Sequence, residues 1–238
     1  MKIMDIHSHI LPAVDDGARS ADVSVKLLEM MKEQGITHVI ATPHFDASVH
    51  NIEDFNDVVA ASKKELDEAT KGMELPKVIL GSEVYYFSGI GKSQGVKQLS
   101  LGGSKYILLE LQNAPIEKSV IDDITSLNYN IGLTPIIAHI ERYAGEKGFK
   151  ELLKLINNGT AYAQVNAQSV IDAPFKRIAQ KLIKKGYISF IATDSHSVET
   201  RPPYMKQALD YISKAFGRSY MHAFVDNSAR LCEEIIGE

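Results

Sequence analysis

The chain reads as an α/β protein whose parallel strands close into a barrel, and three observations predict this. Short, near-continuously apolar runs alternate with helical patterns from end to end, the mark of strands buried on both faces with helices packed outside. No linker, low-complexity run or repeat interrupts the alternation, so residues 1–238 read as a single domain. Six of the seven apolar runs deliver a His, Asp or Glu at their C-terminal end. In a barrel those ends converge on one mouth, where barrel enzymes keep their active sites. An open sheet would hold the outer ones too far apart.

The runs are Lys2–Ile6, His38–Ala41, Lys77–Val84, Tyr106–Leu111, Thr134–Ala138, Ala161–Val165 and Ile188–Ala192. After the first comes the clearest helix: Ser20 or Asp22 can cap it and Gly35 can end it. Its Val23, Leu27, Met30 and Met31 form one apolar stripe. Further helices are predicted near Glu53–Thr70, Glu117–Tyr129, Phe149–Asn157, Asp172–Lys185 and Tyr204–Phe216, with another near Ser228–Ile236.

A hydrophobic content of 45% is enough to fill a sizeable core. The net charge is −4, and no block of Lys and Arg stands out, which argues against a nucleic-acid partner. The opening Met1-Lys-Ile-Met-Asp-Ile-His has no apolar signal region. No window approaches the roughly eighteen uninterrupted apolar residues of a membrane span. One cysteine, Cys232, excludes an internal disulfide and fits a reducing compartment. The expectation is a soluble, cytoplasmic protein.

The polar residues at the strand ends carry the chemistry. His7 and His9 follow the first run, His44 the second; Glu83 belongs to the third, Glu110 to the fourth and His139 to the fifth. The sixth carries Gln164 and Asn166, the seventh Asp194 and His196. His7-Ser-His9 alone is weak, because period two merely places both rings on one face. Asp194-Ser-His196 repeats that spacing, and Asp15 and Asp16 follow His9 closely, although they also suit a plain turn with Gly17. Glu83 and Glu110 lie in strongly apolar strands, where an unpaired carboxylate costs several kcal/mol or protonates; a cation is the simplest compensation. Mixed imidazole and carboxylate donors suit Zn, Mn or Fe rather than Ca or Mg alone. The nine candidates, His7, His9, Asp16, His44, Glu83, Glu110, His139, Asp194 and His196, exceed the needs of one ion and would supply two or three.

Arg142 follows His139, and Arg201 follows His196. Arginine holds phosphate bidentately with a charge that does not titrate away, so metals plus arginines point to phosphate-ester hydrolysis. Gly91-Lys-Ser-Gln-Gly95 imitates a nucleophile elbow but lies in a Gly- and Ser-rich loop rather than at a strand-to-helix turn. Cys232 has no arginine following at phosphatase spacing, which argues against a cysteine nucleophile.

The sequence resembles the PHP (polymerase and histidinol phosphatase) superfamily, and more closely the bacterial protein-tyrosine phosphatases of capsule and exopolysaccharide operons. The resemblance rests on Asp5-Ile-His-Ser-His-Ile-Leu-Pro-Ala-Val-Asp-Asp-Gly, Ala41-Thr-Pro-His44, Gly81-Ser-Glu83, Leu109-Glu-Leu111, His139-Ile-Glu-Arg142 and Thr193-Asp-Ser-His196 with Arg201-Pro-Pro. It implies a distorted seven-stranded, TIM-like (β/α) barrel, the PHP fold, holding two or three divalent transition-metal ions, Mn first among them with Fe or Zn as alternatives. By motif, one metal takes His7, His9, Glu83 and Asp194; a second shares Glu83 and adds Glu110 and His139; a third takes Asp16, His44 and His196. Arg142 and Arg201 match the substrate-phosphate arginines, and His44 or His196 could donate a proton to the leaving group. The implied substrate is a tyrosine-phosphorylated protein, in particular a bacterial tyrosine kinase that regulates capsule or exopolysaccharide synthesis. Two departures stand out: Ile140 replaces the usual proline of the His-x-Glu-Arg motif, and Ala13 the usual glycine. The rivals are a small-molecule phosphatase of the histidinol-phosphate type, a metal-stabilised binding module without activity, and an amidohydrolase. Glu110 in place of a bridging lysine, and the lack of a histidine on strand six, disfavour the last. The aromatics Phe45, Tyr85, Tyr86, Phe87 and Tyr143 border the proposed site in sequence, where they suit either a phenyl ring or ordinary packing.

Overall fold

The computed structural model describes residues 3–237; Met1, Lys2 and Glu238, at the ends of the first predicted strand and of the domain range, lie outside it. The strands are β1 (Met4–Ser8), β2 (His38–Ala41), β3 (His44–Phe45), β4 (Lys77–Leu80), β5 (Glu83–Tyr85), β6 (Tyr106–Glu110), β7 (Thr134–Ile137), β8 (Tyr162–Asn166) and β9 (Phe190–Ala192). Every strand pair is parallel. Parallel neighbours need crossover connections, and the helices supply most of them. They are α1 (Ala21–Glu33), α2 (Ile52–Ala69), α3 (Lys118–Ser126), α4 (Phe149–Asn157), α5 (Ala167–Ile171), α6 (Lys176–Lys184), α7 (Met205–Ala215) and α8 (Arg218–Ile236).

The regular ladders form a three-stranded sheet, β1-β2-β4, and a curled six-stranded half-barrel, β3-β5-β6-β7-β8-β9. Nine strands stand where seven were predicted: the run Lys77–Val84 is interrupted, and a short β3 follows the predicted strand His38–Ala41. Pro43, which has no N–H, separates β2 from β3. Gly81 and Ser82 separate β4 from β5; a Cβ on Gly81 would lie 2.9 Å from the Ile40 side chain and 2.8 Å from that of Leu101. Backbone bonds cross the seams: Thr42 N–H donates to Ser8 O (2.8 Å), Gly81 N–H to Ala41 O (2.9 Å), and Glu83 N–H to Pro43 O (3.1 Å). At the far edge, Asp194 N–H donates to His7 O and His9 N–H to Ser195 O, both at 2.9 Å.

The predicted helix before residue 185 starts only at Lys176, after Ala173-Pro174, and the short α5 occupies the segment ahead of it. The last helix is far longer than its predicted stretch, starting at Arg218. In α1, Ser20 stands at the N-cap without a side-chain cap bond, Asp22 lies in the first turn, and Gly35 follows the helix at φ 82°.

Side chains along a strand alternate between faces, so one face of each strand fills a shared interior. Met4, Ile6, Ile40, Leu108, Ile136, Ala138, Phe190 and Ala192 form that inner cluster, sealed by Leu231 and Cys232 of α8. Two residues further along the same faces stand Glu110 after Leu108 and Asp194 after Ala192; on β8 the same parity gives Gln164 and Asn166 after Tyr162. The inner face therefore turns from apolar to polar toward the C-terminal strand ends. On β1, His7 has the opposite parity to Met4 and Ile6, and the β1–β2 register shifts between Asp5 and Ser8.

Candidate metal centre

Glu83, the first residue of β5, is the hub. Its Oε2 lies 3.1 Å from His7 Nε2, 3.3 Å from His9 Nε2 and 3.0 Å from His44 Nδ1; Oε1 lies 2.9 Å from His139 Nε2. Asp194 Oδ1 lies 3.4, 3.5 and 3.6 Å from His7 Nε2, His9 Nε2 and His196 Nδ1. Glu110 approaches His139 at 3.4 Å and His44 at 3.9 Å; Asp16 Oδ1 lies 3.5 Å from His44 and 3.4 Å from His196. All nine expected ligands thus meet at one place. Their donor atoms fall into three groups, each within 4.8 Å: His9, Asp16, His44 and His196; His7, His9 and Asp194; His44, Glu83 and Glu110. The first adds His9 to one expected trio. The last holds His44 where the resemblance implies His139.

Burial raises the pKa of Glu83, but the His7 charge and the His139 hydrogen bond outweigh it and hold the carboxyl well below its usual range. Asp194 behaves alike, with His7 and His9 overcoming burial. Glu110 has less help: burial and the neighbouring Glu83 push it up to about 7. Burial and the nearby His9 push His196 down to about 4. The geometry fits metal ions. His7 Nε2 and His9 Nε2 lie 3.2 Å apart, and both face Glu83 and Asp194 oxygens. Although Glu83 Oε2 is buried and close to three ring nitrogens, none of those contacts has hydrogen-bond geometry. A divalent cation satisfies such convergent lone pairs, and the imidazole–carboxylate donor set suits a transition metal.

The two arginines stand at the rim. Arg142 donates from Nη2 to Asp194 Oδ2 at 3.0 Å, and Arg201 from Nη2 to the same oxygen at 2.8 Å. Both line a cavity of about 180 Å³ with Asp194, Pro174, Phe175 and Pro202.

The profile of the family described as capsular polysaccharide synthesis, CpsB/CapC, matches residues 3–233. The chain belongs to the CpsB/CapC family. Tyrosine-protein phosphatase CpsB of Streptococcus pneumoniae is 31% identical over 246 residues, spanning 96% of this chain and 98% of that protein. Tyrosine-protein phosphatase YwqE of Bacillus subtilis (strain 168) is 30% identical over 238 residues, spanning 96% and 91%. The solved structure described under YwqE and CpsB, "unique metal-dependent tyrosine phosphatases", superposes with a TM-score of 0.81 at 28% identity, covering 98% of this chain and 95% of that one. A β-aspartyl dipeptidase of Fervidobacterium islandicum, at TM-score 0.60 and 13% identity, shares the fold alone.

Several residues that support this CpsB/CapC centre were not legible as such. Asp15, which the sequence offered as a companion of His9 or as part of a turn, accepts His9 Nδ1–H at 2.6 Å and His44 N–H at 3.1 Å through Oδ2, and Gly17 N–H through Oδ1. Burial would raise its pKa, but the hydrogen bond and charge of His9 bring it down to about 2. Asp5 is fully buried and accepts both the Thr193 N–H and the Thr193 hydroxyl, tying β1 to the segment after β9. Tyr143 OH accepts Leu111 N–H at 3.0 Å and lies 3.2 Å from His139 Nδ1. Among the other bordering aromatics, Phe45 packs on Phe55, and Tyr86 is buried with its hydroxyl donating to Asp123, so these two serve packing. The aromatic at the arginine-lined cavity is Phe175, which the sequence reading passed over. Gly91 O accepts the Ser126 hydroxyl of α3, so the elbow-like motif serves packing too. Cys232 lies in the inner core sealed by α8.

Proposed function

We propose that the chain is a metal-dependent protein-tyrosine phosphatase of the cytoplasm, built as one domain over residues 1–238. Its substrate is the phosphorylated tail of a bacterial tyrosine kinase controlling capsule or exopolysaccharide synthesis. The observation that carries this is the pair of guanidiniums meeting at one oxygen of Asp194 beside nine convergent ligands. The seam bonds described above support counting the two sheets as one distorted seven-stranded barrel.

His7, His9, Glu83 and Asp194 would hold one ion, Glu83, Glu110 and His139 a second, and Asp16, His44 and His196 a third, with Mn the favoured metal. Bound there, the ions would activate water and stabilise charge on the phosphoryl oxygens. Arg142 and Arg201 bind and orient the phosphate, each keeping donors beyond the one spent on Asp194. Phe175, Pro174 and Pro202 form the apolar wall against which a phenyl ring can lie. Phenolate, with a pKa of about 10, leaves without a strong general acid. Where the third ion leaves one of these two histidines uncommitted, His44, with a side chain 37% exposed against 4% for His196, is the better placed to donate a proton. Among the described residues no helix is long and apolar enough to cross a membrane.

The test is kcat/KM on one Mn²⁺-loaded preparation for a phosphotyrosine peptide, a phosphoserine peptide and histidinol phosphate. The phosphotyrosine peptide should exceed the phosphoserine peptide by more than about tenfold. EDTA should abolish turnover and Mn²⁺ restore it. If histidinol phosphate is the best substrate, a small-molecule phosphatase replaces this reading.

A further inference from the structure

β8 is the strand whose end delivers two amides instead of a metal-type ligand. We propose that Gln164 and Asn166 form a hydrogen-bond relay of fixed direction that presents His7 Nε2 and Asp194 Oδ1 to the metal centre, making both amides positioning residues. The inference rests on the proposed metal site and adds to it the device that sets two of its ligands.

The argument starts from a donor whose sense cannot be reversed. The backbone N–H of His139 donates to Gln164 Oε1 at 2.8 Å. That end of the Gln164 amide must therefore be the oxygen, and its NH2 must lie at the other end. There Nε2 donates to Asn166 Oδ1 at 2.8 Å. Asn166 is oriented in turn, and its Nδ2 donates to Asp194 Oδ2 at 2.6 Å. The relay ends on a carboxylate, which only accepts. A donor-only group at one end and an acceptor-only group at the other leave no amide flip that satisfies the chain. Gln164 is fully buried, so water does not offer it a substitute partner.

Two consequences follow. His7 Nδ1 lies 3.2 Å from Gln164 Oε1. The oxygen can only accept, so Nδ1 carries a proton whether the ring is neutral or charged. The nitrogen left to coordinate is Nε2, which faces Glu83, His9 and Asp194. Asp15 does the same for His9 through Nδ1. An outer hydrogen bond of this kind fixes both tautomer and ring orientation of a metal-binding histidine.

The second consequence concerns Asp194. Its Oδ2 accepts from Asn166, Arg142 and Arg201, which turns Oδ1 toward His7 and His9. The arginine side chains are 31% and 36% exposed, whereas Asn166 is 7% exposed. When the guanidiniums turn to a substrate phosphate, Asn166 stays and keeps Oδ1 aimed at the centre.

Two measurements test this without substrate, so they fail separately from the phosphatase reading. In Zn²⁺-loaded protein labelled with ¹⁵N in the histidine rings, His7 should carry its proton on Nδ1 and bind zinc through Nε2. Zinc on Nδ1, or a proton on Nε2, overturns the relay, and this arm needs no variant. The second is calorimetric titration of metal-free protein with Zn²⁺. Gln164→Leu should lose about 10- to 100-fold in affinity, the usual loss on removing such an outer partner. Gln164→Glu should lose less than Gln164→Leu, because its oxygens still accept from His7 and His139 although its link to Asn166 Oδ1 is gone. A mere packing role predicts the reverse order, since Leu fills the space without burying a charge. Gln164→Leu binding as tightly as Gln164→Glu therefore overturns the proposal.

Discussion

Replacing Arg201 or Arg142 by alanine tests the phosphate clamp directly. Each guanidinium sits where it can reach both Asp194 and a phosphate at the rim, its Nη2 already 2.8 Å (Arg201) or 3.0 Å (Arg142) from Asp194 Oδ2. A charge-assisted hydrogen bond is worth about 1.5–3 kcal/mol. Both side chains are about one-third exposed, 36% and 31%, so solvent screening favours the lower part of that range. At about 1.4 kcal/mol per tenfold, about 1.5–2 kcal/mol corresponds to a loss of roughly 10- to 30-fold in kcat/KM for each variant. Lysine at either position keeps the charge but loses the fork, so Arg201→Lys should fall between wild type and alanine. The assay is steady-state hydrolysis of a phosphotyrosine peptide, with bound metal measured on the same samples. Metal content should stay near wild type, because an arginine is not a ligand. Wild-type kcat/KM in both alanine variants would refute the reasoning, as would a rate loss that merely tracks lost metal.

Phe175→Ala should lower the ratio of aryl to alkyl phosphate turnover by about tenfold, since the cavity loses its aromatic wall; an unchanged ratio would place the phenyl ring elsewhere. Asp5→Asn should stabilise the metal-free protein in a pH-dependent way, read from urea unfolding at several pH values. Burial raises the Asp5 pKa from 3.8 to about 6 despite the Thr193 bonds, so folding favours its protonated form. The stabilisation this gives is fully present below pH 3.8 and is lost as pH rises to about 6. The variant should match wild type near pH 4 and exceed it by up to about 3 kcal/mol near pH 7, less any hydrogen bond lost; a difference that does not change with pH would contradict this.

The strands were legible because β6, β7 and β9 are apolar on both faces, which only a buried parallel strand requires. Their interruptions were not. Pro43 announces a break in the ladder, but the seam at Gly81 is set by the approach of Leu101, 20 residues further along the chain. Local pattern carries no information about such a contact. The first half of α8 was missed because its buried positions, Phe224, Val225 and Ser228, pack with the loosely patterned polar residues of Arg218–Ile236 between them. The helix earns its place by sealing the inner core with Leu231 and Cys232, a tertiary reason that outweighs propensity.

The candidate ligands were legible for a different reason: a His, Asp or Glu at the end of an apolar strand is costly unless something compensates, so each one marks itself. The supports have no such mark. Ala13 is instructive, because the position where the resemblance implies glycine has a φ of 54°, the left-handed region where a Cβ is unfavourable. Ile140, where the resemblance implies proline, is fully buried. His139 and Asp194 themselves adopt φ of 30° and 50°. For non-glycine residues such backbone persists only where the surroundings over-determine it. Here His139 N–H is held by Gln164 and Asp194 N–H by His7 O, the same groups that orient the ligands. Gln164 therefore restrains the backbone of one candidate ligand, the ring of a second and, through Asn166, the carboxylate of a third. An amide acquires those roles only from the direction of a hydrogen bond donated 25 positions away, and no residue type or spacing in the sequence records that direction.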